Sequence, residues 1–147
     1  KIKAASENFP LKLYTHKPSE ELSNAIFMGP VDYYDTMPLV FKHSLINLNI
    51  TLKSIQTGIP LRRMDIMGSG GFLLTNFQSD LLDFFVPGED FAFYESKTDF
   101  IDKIRYYLSH EKERTQMIAN CTGKMLENHT FVHRVHRILD VISQSHI

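Results

Sequence analysis

The sequence predicts an α/β domain in which a parallel sheet is covered by helices on both faces. Short apolar segments typical of strands alternate with amphipathic segments typical of helices, and the chain ends in consecutive helices. Because crossover helices usually connect parallel strands, this alternation favours a parallel sheet of Rossmann-like layout. The length of 147 residues fits one domain, 1–147, with a real hydrophobic core.

Four segments build the first half of the domain. Pro10–His16 alternates apolar and polar residues as a strand does, and Ala25–Val31 is an apolar run that ends in a Gly-Pro turn. Asp35–Ser44 is predicted to be a short helix, and Leu45–Ile50 a strand that ends at a polar rim. The residues before the first strand are typical of the end of a helix, which suggests a fragment of a longer protein.

The stretch TGIPLRRMDIMGSGGFLLTN, Thr57–Asn76, is predicted to be a helix followed by an abrupt turn into a strand. The helix begins near Ile59, and Pro60 suits its first turn, where a missing N–H costs little. Gly70 and Gly71 form the turn, and a small residue there lets the helix pack closely on the sheet.

The next two elements are short. Phe77–Phe85 is predicted to be an amphipathic helix capped by Ser79, and Phe91–Tyr94 to be a strand. Ser96 and Asp99 have capping-box spacing at the start of the first of three final helices.

The three final helices are predicted to pack their apolar faces inward. The inward residues are Phe100, Ile101, Ile104, Tyr107 and Leu108 in the first helix, Met117, Ile118, Cys121 and Leu126 in the second, and Phe131, Val135, Ile138, Leu139 and Ile142 in the third.

Composition argues against several functions. The formal net charge of −1 removes the simplest argument for nucleic-acid binding, because no basic excess is present to neutralise phosphates. No apolar run approaches the roughly 20 residues that span a bilayer, so no transmembrane segment is expected. The single cysteine, Cys121, excludes an internal disulfide framework and suits a reducing compartment, so we expect a cytoplasmic protein.

Two other groups of side chains receive structural interpretations. His129, His133 and His136 share one helical face but lack a cysteine or carboxylate partner, which favours a polar helix face over a metal site. The pairs Tyr33-Tyr34 and Tyr106-Tyr107 are interpreted as aromatic residues at the edge of the core rather than as a base-stacking platform.

The start of the helix that follows Leu45–Ile50 is the candidate ligand site. In an open parallel sheet, ligands bind beyond the carboxyl ends of the strands, where helix N-termini attract phosphate. Gly58 lets the backbone approach a ligand closely. Arg62 and Arg63 can supply mobile counter-charge, and the carboxylate of Asp65 suits sugar hydroxyls. The alternative for so short a pattern is an ordinary helix with solvated arginines.

Three linked motifs carry a family resemblance. GIPLR begins at Gly58, DIMGSGG at Asp65 and FVPGED at Phe85. With the segments around them, from about Pro10 to Leu139, they resemble the C-terminal domain of GT-B glycosyltransferases. The resemblance is greatest to the CgeB-like (spore-maturation protein) branch of the group-1 family.

This resemblance implies a domain that binds a nucleotide-sugar donor of the UDP or GDP type. It also implies that the full-length protein is a metal-independent glycosyltransferase without a cofactor. The family has a pair of glutamates at the spacing of Thr57 and Asp65. Asp65 is therefore expected to hold the donor ribose, and Thr57 stands at the sugar contact without a charge.

The resemblance assigns further donor contacts. The backbone N–H groups from Gly58 to Leu61, including that of Ile59, are expected to face the diphosphate, although Pro60 has none to donate. Arg62 and Arg63 are expected to face the phosphates. The turn from Gly29 to Val31 is expected to lie near the nucleobase.

The resemblance also implies missing parts. The family's C-terminal domain begins with a further strand and a glycine-rich loop, and an N-terminal domain binds the acceptor. Pro10–His16 resembles the family's second strand, and the helix from Phe131 resembles the one that returns to the N-terminal domain. We therefore expect an inactive fragment whose exposed apolar surface promotes self-association. The alternative is a non-catalytic Rossmann-like interaction module or a degenerate transferase domain.

Overall fold

The computed structural model describes residues 1–22, 24–51 and 58–144. The strands in these residues are β1 (Lys12–Leu13), β2 (Ile26–Phe27), β3 (Asn47–Asn49), β4 (Leu73–Asn76) and β5 (Ala92–Tyr94). The helices are α1 (Ile2–Asn8), α2 (Met37–His43), α3 (Leu61–Gly68), α4 (Lys97–Ser109), α5 (Glu111–Asn128) and α6 (Phe131–Gln144).

All strand pairs are parallel, which confirms the predicted α/β class, but the strands form two sheets. β1 pairs with β2, and Lys12 lies opposite Ile26. β4 lies between β3 and β5, and Asn47 lies opposite Leu73. Within the described residues, no backbone hydrogen bond joins one sheet to the other.

Helices cover both faces of the larger sheet, as predicted. Successive side chains of a strand point to opposite faces. Leu74 accordingly packs in a hydrophobic cluster with Phe100 of α4, and Leu73 packs in a second cluster with Ile66 of α3. Both leucines are almost completely buried, and each such side chain contributes about 1.5–3 kcal/mol to folding.

The turn between α3 and β4 confirms the predicted role of its two glycines. Gly70 has a φ of +75°, a left-handed conformation that glycine adopts without strain. A Cβ atom added to Gly71 would lie 2.7 Å from Nδ2 of Asn47 and 2.8 Å from the carbonyl oxygen of Phe41. Close packing of α2 and α3 on the sheet therefore requires a glycine here.

The segment after β4 differs from the prediction. Of the helix expected over Phe77–Phe85 with Ser79 as its cap, only a 3-10 turn at Ser79–Leu81 forms, with Gln78 in the cap position. The side chains of Gln78 and Asp80 bond to Gly58 instead. These tertiary contacts hold the segment as a tight loop, which a local amphipathic pattern does not reveal.

The predicted cap of α4 is present with one difference. The Oγ of Ser96 accepts a hydrogen bond from the N–H of Asp99 at 3.0 Å, as a capping box requires. The carboxylate of Asp99 accepts from the N–H of Glu95 at 2.9 Å, one residue before the expected donor.

Most of the residues predicted to face inward in α4 and α5 are at least partly buried. The prediction for α6 is wrong. Phe100, Ile104 and Tyr107 of α4 and Met117 and Cys121 of α5 are buried. By contrast, Leu126 is 66% exposed, and Phe131 at the start of α6 is 84% exposed. The other α6 residues expected inside, Val135, Ile138, Leu139 and Ile142, are all at least half exposed.

Among the described helices, none combines the length and the apolar character that crossing a membrane requires.

Candidate functional site

The candidate site lies at the carboxyl ends of β3 and β4, where the chain enters α3. Pro60 occupies the N-cap position of α3 rather than its first turn, and its own side chain forms no capping hydrogen bond. The first N–H groups of a helix have no acceptor within the helix. Those of Leu61 and Arg62 therefore face the side from which an anion would approach.

Gly58 precedes this helix and is held by the loop that follows β4. Its φ is +85°, which a residue with a Cβ atom rarely adopts. The N–H of Gly58 donates to Oδ2 of Asp80, and its carbonyl oxygen accepts from Nε2 of Gln78 at 2.9 Å. Thr57, the predicted sugar contact, lies outside the described residues.

Ile59 and Leu61 place their side chains differently. Ile59 is partly buried and packs against the second hydrophobic cluster, whereas the side chain of Leu61 is 61% exposed. The role predicted for both residues depends on their backbone N–H groups, so this difference does not bear on it.

Arg62 is exposed and lies against α2 and the turn before it. Its guanidinium is 5.8 Å from the ring centre of Tyr33 and 5.6 Å from that of Phe41. Its Nη1 donates to Sδ of Met37 at 3.1 Å. The arginine thus has aromatic and sulfur contacts but no carboxylate contact in the described residues, so its charge is not neutralised by an ion pair.

Asp65 bonds to Tyr33, two residues after the turn at Gly29–Val31, which the sequence had not indicated. The hydroxyl of Tyr33 donates to Oδ2 of Asp65 at 2.8 Å. This hydrogen bond raises the pKa of the Tyr33 hydroxyl, with smaller contributions from burial and the charge of Asp65. The structure therefore places Asp65 against a residue that closely follows the turn predicted to lie near the nucleobase; in that turn Gly29 has a φ of +75° and Val31 is partly buried.

The interpretation of the two tyrosine pairs as residues at the edge of the core is wrong for Tyr34 and confirmed for Tyr107, which is buried in the first hydrophobic cluster. Tyr33 is 39% exposed and Tyr34 is 83% exposed. Their rings meet edge to face, with centres 5.2 Å apart. Both rings therefore lie at the surface beside the candidate site.

Arg63 has an environment opposite to the one expected. Its side chain is completely buried, so it is not a mobile counter-charge. Its Nε donates to Oδ1 of Asn49 at 3.1 Å, and its Nη2 donates to Oγ1 of Thr51 at 2.9 Å and to the carbonyl oxygen of Asn76 at 3.3 Å. Arg63 thus joins the carboxyl ends of β3 and β4, and its role in donor binding stays a prediction.

The buried charge of Arg63 has no acidic partner in the described residues. Burial lowers its pKa to about 10, and burial raises the pKa of the Tyr94 hydroxyl to about 12. Nη1 of Arg63 and the hydroxyl of Tyr94 have no hydrogen-bond partner in the part of the chain that the structure describes. The site therefore rests on a buried positive charge that no carboxylate of residues 1–22, 24–51 or 58–144 neutralises.

A separate cavity of about 630 Å³ lies where α5 meets α6 and shares no lining residue with the start of α3. There Nδ1 of His129 bonds to Nη2 of Arg134 at 3.0 Å, and its ring is 5.2 Å from the ring centres of Phe84 and Phe85. Burial and the charges of Arg134 and His133 lower the pKa of His129. His129 thus has a structural role at this junction.

No group of three or more histidine, cysteine, aspartate or glutamate side chains in residues 1–22, 24–51 and 58–144 is arranged to hold a metal ion. Cys121 is buried, and burial raises the pKa of its thiol to about 12. The thiol is therefore not reactive at neutral pH.

The fold is that of the C-terminal domain of a glycosyltransferase: an α/β domain of parallel strands flanked by helices. One similar solved structure is the C-terminal domain of a glycosyl transferase group 1 family protein (LpcC) from Francisella tularensis. The TM-score is 0.68 at 17% identity, and the likeness covers 88% of this chain and 77% of that one. At that identity, the likeness defines the fold.

Residues 2–140 match the glycosyl transferase-like family, and the chain belongs to that family. A search of curated proteins found no match.

Proposed function

We propose that this chain is the donor-binding domain of a glycosyltransferase and binds a nucleotide-sugar of the UDP or GDP type at the start of α3. The observation that carries the proposal is the meeting of three features at one place. The uncapped N-terminus of α3, the unneutralised Arg62, and the carboxylate of Asp65 joined to Tyr33 lie within a few residues of each other.

Each feature suits one part of such a donor. The diphosphate binds the N–H groups of Ile59 and Leu61 and the guanidinium of Arg62. Asp65 accepts a hydrogen bond from a ribose hydroxyl, for which its Oδ1 remains after Oδ2 has bonded to Tyr33. The turn from Gly29 to Val31 lies beside the nucleobase.

The proposed reaction breaks the bond between the sugar and the diphosphate. The leaving diphosphate gains negative charge, which the helix N-terminus, Arg62 and the buried charge of Arg63 stabilise electrostatically. The proposed reaction uses no metal ion. We further propose that an N-terminal domain supplies the acceptor site, that the protein belongs to the CgeB-like branch, and that it works in the cytoplasm, which the single buried Cys121 suits.

The test is calorimetric titration of UDP and GDP into the protein and its Asp65→Ala and Arg62→Ala variants. We expect each variant to bind about tenfold more weakly, because a hydrogen bond to a charged group contributes about 1.5 kcal/mol. Matched controls are Asp102→Ala and Arg105→Ala, which remove an exposed ion pair on α4 and leave affinity unchanged.

Two results would contradict the proposal in different ways. Unchanged affinity in both site variants would show that the nucleotide binds elsewhere. Failure of the unaltered protein to bind either nucleotide would favour a non-catalytic interaction module over a donor-binding domain.

A further inference from the structure

The protein places one of its own anions beside the start of α3. Asp80, in the 3-10 turn after β4, accepts the N–H of Gly58 through Oδ2. Its Oδ1 accepts the hydroxyl of Ser79 at 3.2 Å. The carboxylate therefore occupies a backbone amide that the donor diphosphate is expected to use, and the two anions cannot bond to that amide together.

Asp80 does not hold the Gly58 turn alone. Gln78, which is 7% exposed, donates from Nε2 to the carbonyl oxygen of Gly58 at 2.9 Å. This hydrogen bond between two neutral groups holds Gly58 through its carbonyl oxygen, whereas Asp80 holds it through its N–H. The carboxylate of Asp80 can therefore leave the amide while Gln78 still ties the turn to the loop after β4.

One buried atom beside this contact lacks a hydrogen-bond partner in the described part of the chain. It is Oε1 of Gln78, whose Nε2 bonds to Gly58. Buried polar atoms are seldom left unpaired. The surroundings of Gly58 thus include an unsatisfied acceptor.

We propose that Asp80 is an internal competitor of the donor: its carboxylate occupies the Gly58 N–H in the free protein and is displaced by the diphosphate of the donor. This inference rests on the proposed function. A phosphate oxygen takes over the hydrogen bond, and repulsion between the two negative charges moves the carboxylate away. A neutral nucleoside carries no phosphate to compete for this amide, so Asp80 weakens the binding of ligands that carry a diphosphate and leaves that of a nucleoside unchanged.

The test compares Asp80→Asn, which keeps the size and one acceptor oxygen of the side chain but removes its charge, with the unaltered protein. Calorimetry uses UDP, inorganic diphosphate and uridine as probes. We expect UDP and diphosphate to bind about fivefold more tightly to the variant, since one like charge near the phosphates is gone. Affinity for uridine should not change.

Asp83→Asn is the matched control. Asp83 follows the same turn, and its substitution also removes one negative charge, but Asp80 rather than Asp83 bonds to Gly58. It should leave all affinities unchanged. A second measurement does not depend on the variant: in the NMR spectrum of the unaltered protein, the Gly58 amide should shift with diphosphate and not with uridine.

The outcomes separate this inference from the proposed function. If Asp80→Asn binds UDP equally or more weakly while the unaltered protein binds it, Asp80 only holds the loop, and the displacement is refuted although the donor site stands. A Gly58 amide that does not respond to bound diphosphate refutes it as well. If neither protein binds UDP, the proposed function fails, and the displacement with it.

Discussion

Arg62 and Arg63 are neighbours in the sequence and have opposite environments. Arg62 lies exposed over Tyr33, whereas Arg63 is buried between the ends of β3 and β4. Successive residues of a helix point about 100° apart, so one of an adjacent pair can face the sheet. The composition of the stretch predicted a cationic helix start, but the polar groups that accept Arg63, on Asn49 and Asn76, come from distant segments. No local pattern could identify them.

Gly71 gives the clearest test at the scale of one residue. Gly71→Ala should lower the free energy of unfolding by about 2 kcal/mol, because its Cβ would overlap Nδ2 of Asn47 and the carbonyl oxygen of Phe41. That contact would also disturb the buried hydrogen bond from Asn47 to Phe41, which is 2.9 Å long. Urea unfolding followed by circular dichroism measures the change.

Gly123 in α5 is the matched control for this substitution. A Cβ atom there meets nothing within 4 Å among the described residues. Gly123→Ala should therefore raise stability by up to about 1 kcal/mol through helix propensity. Equal effects of the two substitutions would contradict the close packing inferred at Gly71.

Amphipathic patterns predicted the positions of the final helices well, but they predicted less well which of the apolar faces are buried. The pattern of α4 predicted Phe100, Ile104 and Tyr107 inside, and all three are buried. The pattern of α6 is as clear, yet Phe131 and Val135 are exposed. A helical period shows which face is apolar but not what covers it. The self-association expected from exposed apolar surface stays a prediction.

The junction of α5 and α6 predicts a pH dependence of stability. The pKa of His129 is lowered in the folded protein. His129 therefore binds a proton less readily there than in the unfolded chain, where histidine titrates near 6.5. The unfolded state therefore holds more protons just below that pH, and stability falls as the pH decreases from about 6.5. His129→Gln should remove this decline, as measured by urea unfolding at pH 7.5 and 5.5.

The exposed His16 provides the comparison for that measurement. His16→Gln should leave the decline in place. A His129→Gln variant that loses stability on acidification as steeply as the unaltered protein would show that His129 is not the residue responsible.

At the scale of the whole molecule, the strands of the described residues fall into two parallel sheets, β1-β2 and β3-β4-β5. Leu11, before β1, and Leu48 of β3 pack against the same hydrophobic cluster. Parallel strands and crossover helices followed from the alternation of segments, but a division of the sheet did not.

The central claim is that a nucleotide-sugar donor binds at the start of α3. The most direct test is an NMR titration of the isotopically labelled protein with UDP and GDP, following each backbone amide. The account predicts that the largest shifts occur at Gly58, Ile59, Leu61 and Arg62, with further shifts from Gly29 to Tyr33. Shifts confined to the cavity between α5 and α6, around His129 and Arg134, would contradict it.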